Sequence, residues 1–384
     1  MKIIQLSLLC CLFVLLFGTS THAQDVRTVW STAKAKKWYH EQPWLVGCNF
    51  IPSTAINQLE MWQQGSFDTA TINRELKWAS NIGMNTVRVF LHDLLWQDDS
   101  IGFLKRINIF LDISARHHIR PVLVLFDACW DPFPKLGIQR SPKPFVHNSG
   151  WVQSPGYSAL IDSTQHIRLK NYVVGVVKRF GKDKRILAWD VWNEPDNTNN
   201  SSYGTIELRD KERYVLPLLE KAFIWARSVR PVQPLTSGIW RGDWSGEQNL
   251  TSLQKLQVSQ SDVISFHNYD SGKEFEKRVK WLIRYDRPLL CTEYMARGNG
   301  SYFEEILPLC QKYSIAAYNW GLVDGKTQTK YPWDSWKKEY SAEPPIWFHE
   351  IFYADGQPYK KQEIDLIKEL TAKKSEKKKT AVLK

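Results

Sequence analysis

Two glutamates in this sequence stand where chemistry is expected. Glu194 ends the run Arg185–Asn197, RILAWDVWNEPDN, and Glu293 ends Arg287–Arg297, RPLLCTEYMAR. Each follows a short apolar stretch, which reads as a buried strand delivering a side chain to a rim. Pro195 cannot donate to a sheet ladder, so the first strand must stop there. Two carboxyl groups carried to the same rim suit the cleavage of a glycosidic bond. One stays protonated to give a proton to the leaving oxygen, and the other stays ionised to attack or stabilise the sugar cation. Their surroundings must therefore drive the two acidities apart.

Other strand ends carry polar groups of the same kind. In chain order they are Asn49, Arg88, His92 with Asp93, Asp127, Asn193, Trp240, His267 with Tyr269, and Trp320. Polar groups converging on a pocket are the general sign of an active site. Arg88 is placed to keep Glu293 ionised. Eighteen tryptophans fit a sugar partner, because an indole face packs on the C–H face of a pyranose ring. The set in expected rim loops is Trp96, Trp130, Trp151, Trp244, Trp333 and Trp336; Trp78, Trp189, Trp225 and Trp281 lie inside expected elements and read as core. His117-His118 ends a helix and suits its dipole. No His-Glu-x-x-His or Asp-rich calcium loop is present, so no catalytic metal and no cofactor are expected.

The elements that must position these residues alternate. Strands are expected at 44–50, 85–91, 121–126, 186–193, 235–240, 263–266, 288–291 and 315–320. Amphipathic helices are expected at 69–82, 103–117, 167–180, 211–229, 273–285, 302–313 and 360–370. Strand–helix alternation implies parallel pairing with right-handed crossovers. Eight such units predict an α/β fold: a single (β/α)8 barrel with its chemistry at the C-terminal ends of the strands. Long aromatic-rich loops at 128–156 and 321–352 belong on that face, and loops of such length are usually functional. No Gly-x-Gly-x-x-Gly follows the first strand, which excludes a dinucleotide crevice.

Residues 1–23 read as a signal peptide: Lys2, an apolar Ile3–Phe17, and a small-residue cleavage site at Thr21-His22-Ala23. A secreted or periplasmic protein is the expectation, with one domain over 24–372 and a basic disordered tail over 373–384. Net charge is +11, of which the tail contributes +5. The remaining body is too mildly basic to argue for nucleic acid, and a monomer is expected. Cys48, Cys129, Cys291 and Cys310 lack metal spacing and are read as buried free thiols.

Taken together, Trp192-Asn193-Glu194-Pro195, Arg88 within Thr86-Val87-Arg88-Val89, His267-Asn268-Tyr269, Thr292-Glu293-Tyr294 and Trp320 resemble glycoside hydrolase family 5. The resemblance implies a retaining β-glycosidase with Glu194 as acid/base on the fourth strand and Glu293 as nucleophile on the seventh. It implies that Asn193 binds the sugar 2-hydroxyl, that Arg88 and Tyr269 orient Glu293, that His267 lines the site and that Trp320 floors it. Asp127, His92 and Trp130 complete the candidate substrate-binding set. Many members of the family carry histidines after the third strand. Here that stretch is Phe126-Asp127-Ala128-Cys129-Trp130, so mannan-, glucan- and xylan-type substrates all stay open. A non-catalytic carbohydrate-binding barrel and a transglycosylase are the competing readings.

Overall fold

The computed structural model of the chain describes residues 27–382. Eight parallel strands form a nearly closed barrel: β1 (Val46–Asn49), β2 (Thr86–Phe90), β3 (Arg120–Asp127), β4 (Ala188–Asn193), β5 (Leu235–Thr236), β6 (Ile264–Asn268), β7 (Leu289–Tyr294) and β8 (Ala316–Trp320). Their order around the sheet is β5-β4-β3-β2-β1-β8-β7-β6. β5 is shorter than its sequence suggests. The seam beside β6 is closed instead by a single parallel bridge, Ile239 to Phe266.

Two apolar layers hold the barrel. Inside its base, Val122, Ala188, Leu290, Ala316 and Tyr318 meet Trp30, which enters from the N-terminal segment. Outside, the strands pack on the helices through one continuous cluster that includes Leu76, Phe110, Val176, Leu219, Phe275 and Ile306. Trp189 and Trp225 belong to it, and Trp78 and Trp281 pack against it, as their placement in elements suggests. The expected rim residues Trp151 and Trp244 are buried as well. Trp96 lies on Gly175 of the helix His166–Phe180, where no larger residue would leave room for the indole.

β7 holds an irregularity that matters for the site. Against β6, Cys291 aligns with Phe266 but Glu293 aligns with His267. Against β8, Cys291 aligns with Ala317 and Tyr294 with Asn319. Both neighbours thus see one extra residue in β7, a bulge of the kind found beside active sites. Leu290 faces the interior cluster and Cys291 the outer one. Regular alternation would turn Glu293 outward. The extra residue turns it inward and leaves Tyr294 on the outer side against Phe303.

Two expectations shift at the ends of elements. The helix foreseen from Phe103 begins at Asp93, with His92 as its N-cap and a break in helical geometry at Asp99. The last helix, Lys361–Val382, runs through most of the segment read as a disordered tail. Its Ala, Lys and Glu are good helix formers, which a charge count alone does not register. The expected signal peptide lies outside the described residues. Among those described, no helix is long and apolar enough to cross a membrane.

Candidate active site

The C-terminal rim holds a cavity of about 380 Å³, lined by residues from six strand ends and the loops that follow them. Its base is an ion-pair network. The Arg88 guanidinium, fully buried in β2, donates to Asp190 Oδ2 from two nitrogens at 3.0 and 2.8 Å. It also donates to Glu293 Oε1 at 2.8 Å, Asn49 Oδ1 at 2.9 Å and Asn193 Oδ1 at 2.7 Å. Burial opposes its charge, but Asp190 and Glu293 together hold its acidity below that of a free guanidinium.

Glu293 accepts a second bond, from the Tyr269 hydroxyl to Oε2 at 2.8 Å. Burial raises its pKa above the usual carboxyl value, while His267, Arg88 and the tyrosine work in the opposite sense. Glu194 sits across the cavity just past the end of β4. Its backbone has φ +42°, a left-handed conformation that costs a non-glycine residue about 1–3 kcal/mol and tends to mark functional sites. Its Oε2 accepts from Asn197 Nδ2 at 2.7 Å and from the Cys129 thiol at 3.3 Å, and its Oε1 is 2.7 Å from His267 Nδ1. Burial drives its pKa to about 7 even against these donors. Desolvation lowers His267 to about 4, so its ring is neutral at neutral pH.

One oxygen of each glutamate and one nitrogen of His267 lie within 4.8 Å of one another. That spacing would admit a metal ion. The chemistry of the set fits proton transfer better, because both carboxylates already accept bonds from neighbouring donors and the Arg88 cation lies against one of them.

The candidate residues fall into three groups. Glu194, Glu293, Asn193, Tyr269, Trp320 and Trp130 line the cavity. Arg88 and His267 lie beneath it, in contact with the glutamates. Two do not reach it. Asp127 is spent on protein partners: Oδ1 accepts from Asn193 Nδ2 at 2.9 Å, and Oδ2 from Trp151 Nε1 at 2.6 Å and Gln58 Nε2 at 3.1 Å. It holds Asn193 and does not line the cavity. His92 is buried and caps a helix, its Nδ1 accepting from Leu94 N at 3.2 Å. A strand end that is also a helix start needs a cap, and that requirement claims His92.

Cys48, Cys291 and Cys310 are buried free thiols as expected, but Cys129 is only partly buried and faces the cavity. Trp333, expected in a rim loop, lines the cavity, whereas Asp190, Asn197, His147 and His349 were not singled out from the sequence. Asp190 carried a usable signal, since it is the one charged residue within Ala188–Asn193. The others sit in loops without periodicity.

A buried lysine fixes the wall beside Glu194. Lys211 Nζ donates to Ala128 O at 3.1 Å, Asn197 O at 2.8 Å, Gln153 Oε1 at 3.0 Å and Glu207 Oε2 at 3.0 Å. This ties the loop after β3 to the loop after β4 next to Asn197 and Cys129. Behind Trp320, the edges of Phe90 and Trp151 pack at 5.8 Å and make the floor rigid.

Two buried glutamates facing each other at the C-terminal rim of a parallel barrel define the glycoside hydrolase class. The family model described as cellulase (glycosyl hydrolase family 5) matches residues 145–336, half of the chain. The chain belongs to this family.

Among solved structures, it is similar to an exo-β-1,4-mannosidase from Opitutaceae bacterium strain TAV5, with TM-score 0.59 and 17% identity over 87% of this chain. The match spans 60% of that enzyme's length. It is also similar to a β-1,4-mannanase from the sea hare Aplysia kurodai (TM-score 0.54, 16% identity, 79% of this chain, 95% of that one). A third is an endo-β-1,4-mannanase from Thermotoga petrophila (0.55, 13%, 87% and 77%). At these identities the likeness is one of fold. No curated protein matches the sequence.

Proposed function

We propose that this protein hydrolyses a β-linked glycan with retention, by double displacement. Glu293 attacks the anomeric carbon while Glu194 gives its proton to the departing glycosidic oxygen. The glycosyl–Glu293 ester then breaks as Glu194 removes a proton from water and the resulting hydroxide oxygen bonds to the anomeric carbon. The observation that carries this reading is the approach of the two carboxylates within 4.8 Å, shared with His267. That closeness favours retention, for which carboxyl separations of about 5–5.5 Å are typical, over inversion at about 6.5–9.5 Å.

The surroundings support the division of roles. Glu194, at about 7, holds a proton near neutrality. Glu293 has Arg88 and Tyr269 to stabilise its anion. Asn193, pinned by Arg88 at Oδ1 and by Asp127 at Nδ2, is held in the cavity lining beside Glu194, within reach of a sugar hydroxyl. Trp320 offers an aromatic floor. β-1,4-Mannosides are the first substrates to try, since the three structural relatives named above act on that linkage. The N-terminal sequence supports export.

Glu194→Ala and Glu293→Ala test the assignment. Each should lose most turnover on an aryl β-glycoside, and azide should rescue them with opposite stereochemistry. β-Glycosyl azide is expected from the Glu194 variant and α-glycosyl azide from the Glu293 variant. Near-native rates in either variant would remove it.

A further inference from the structure

The cavity is closed on one side, and the closure has a direction. A chain of rings runs along it from Tyr269 to His349 (5.5 Å), His147 (5.3 Å) and Trp130 (5.4 Å). Trp336 stacks behind Trp130 at 5.7 Å with planes 15° apart. Apart from Tyr269, which follows β6, these rings come from the loops after β3 and β8, which are bonded to each other. Asn148 N donates to Thr327 O at 2.8 Å, His147 N to Ser335 Oγ at 3.0 Å, and Trp336 Nε1 to His147 O at 2.8 Å. The rest of the lining includes Asn200, Ser201, Trp240 and Arg241, mostly exposed, with Trp240 and Arg241 held by Asp196 two residues beyond Glu194.

The acid must face the leaving group, so the leaving portion of the substrate lies on the Glu194 side. On that side stand part-exposed Trp240 and exposed Arg241, both bonded to Asp196. The sugar held over Trp320 and Glu293 has the ring wall beyond it.

The wall is also chemically prepared. His147 Nδ1 lies 2.7 Å from Tyr331 O, and His349 Nδ1 lies 2.6 Å from Met295 O. A carbonyl can only accept, so in both rings Nδ1 carries the proton and Nε2 is left as an acceptor. Burial keeps both imidazoles neutral, His147 falling to about 4. Both residues line the cavity.

Resting on the retaining-glycosidase reading, we propose that the joined β3 and β8 loops make this an exo-acting enzyme that removes one sugar at a time from the non-reducing end. His147 and His349 accept hydrogen bonds from the terminal hydroxyls. They are specificity-determining residues and take no part in bond cleavage.

The test uses the full chain with β-1,4- and β-1,3-linked gluco- and manno-pentaoses, each with its non-reducing terminal sugar free or O-methylated at the hydroxyl that would extend the chain. The expected result is stepwise release of monosaccharide from one free pentaose and none from its methylated counterpart. Cleavage of the methylated chain, or early di- and trisaccharide products, would overturn the exo assignment while leaving the glycosidase reading intact. Inertness toward every pentaose and toward aryl β-glycosides would overturn both.

His147→Phe keeps a ring in the wall and removes the acceptor. It should lower kcat/KM on the free pentaose about tenfold, mainly through KM, with Tm close to native. An unchanged KM would remove His147 from the role.

Discussion

Arg88 is shared between two carboxylates of opposite use: Asp190, sealed inside the barrel, and Glu293, which faces the cavity. Neither acid nor base can be changed here without disturbing the other. Asp190 Oδ1 has no partner of its own, so its charge depends on Arg88. Arg88→Met should therefore both destabilise the fold, by about 3–5 kcal/mol as for other broken buried ion pairs, and remove turnover. Asp190→Asn should cost less stability and leave the arginine on Glu293. Denaturant unfolding beside kinetics separates the two effects; an Arg88→Met protein of native stability would contradict the shared-charge picture.

Activity should follow a bell-shaped pH profile. In the proposed mechanism turnover requires the proton on Glu194, so the alkaline limb is expected near the pKa of about 7 that burial imposes. Asn197 donates to the Glu194 carboxylate and so favours its ionised form. Asn197→Ala removes that support and should move the alkaline limb upward by about half to one pH unit. A downward shift would reverse the assigned direction of this bond.

Among the described residues, Cys129 is the thiol expected to react in the native protein, because Cys48, Cys291 and Cys310 are buried. Burial and the charge of Glu194 raise its pKa, so alkylation should be slow at pH 7 and accelerate as the pH rises. Modification should block the cavity and abolish activity, and Cys129→Ala should resist. Mass mapping after partial labelling checks this; prior labelling at any of the other three would count against it.

Glu350 is buried behind the loop that follows β8, bonded to the Thr329 hydroxyl, with Oε2 unpartnered. Desolvation lifts it from 4.5 to about 8. The folded state thus binds this proton more tightly than the unfolded chain. The associated stability is present below about pH 4.5 and is lost as pH rises through about 8. Glu350→Gln should raise Tm measurably at pH 9, by roughly 2–4 °C per kcal/mol recovered, and change it little at pH 5. Equal shifts at both pH values would show that the carboxyl ionises without cost.

Much of the barrel was legible because its strands and helices obey simple periods, and both glutamates because each breaks an apolar run. The parts that stayed hidden are those with no period. His147 and His349 lie 202 residues apart in loops, and only the fold brings their rings to 5.3 Å. Asp127 and His92 look like rim ligands in one dimension. In three, hydrogen bonds to Asn193 and to a helix start have already claimed them. Asp190 is the reverse case: a strand-interior acid that resembles an error until Arg88 is found beside it.

The extra residue in β7 deserves a last consequence. Side chains along a strand alternate like the two rails of a zip, and one added tooth near Thr292 exchanges inside for outside from that point on. Straightening the strand with every residue kept would turn Glu293 toward the helices, whereas deleting Thr292 would leave the glutamate paired with His267 and still facing inward. The inward aim of Glu293 is thus a matter of parity, and adding one residue between Cys291 and Glu293 without a second bulge is the smallest edit that should turn it away from the cavity.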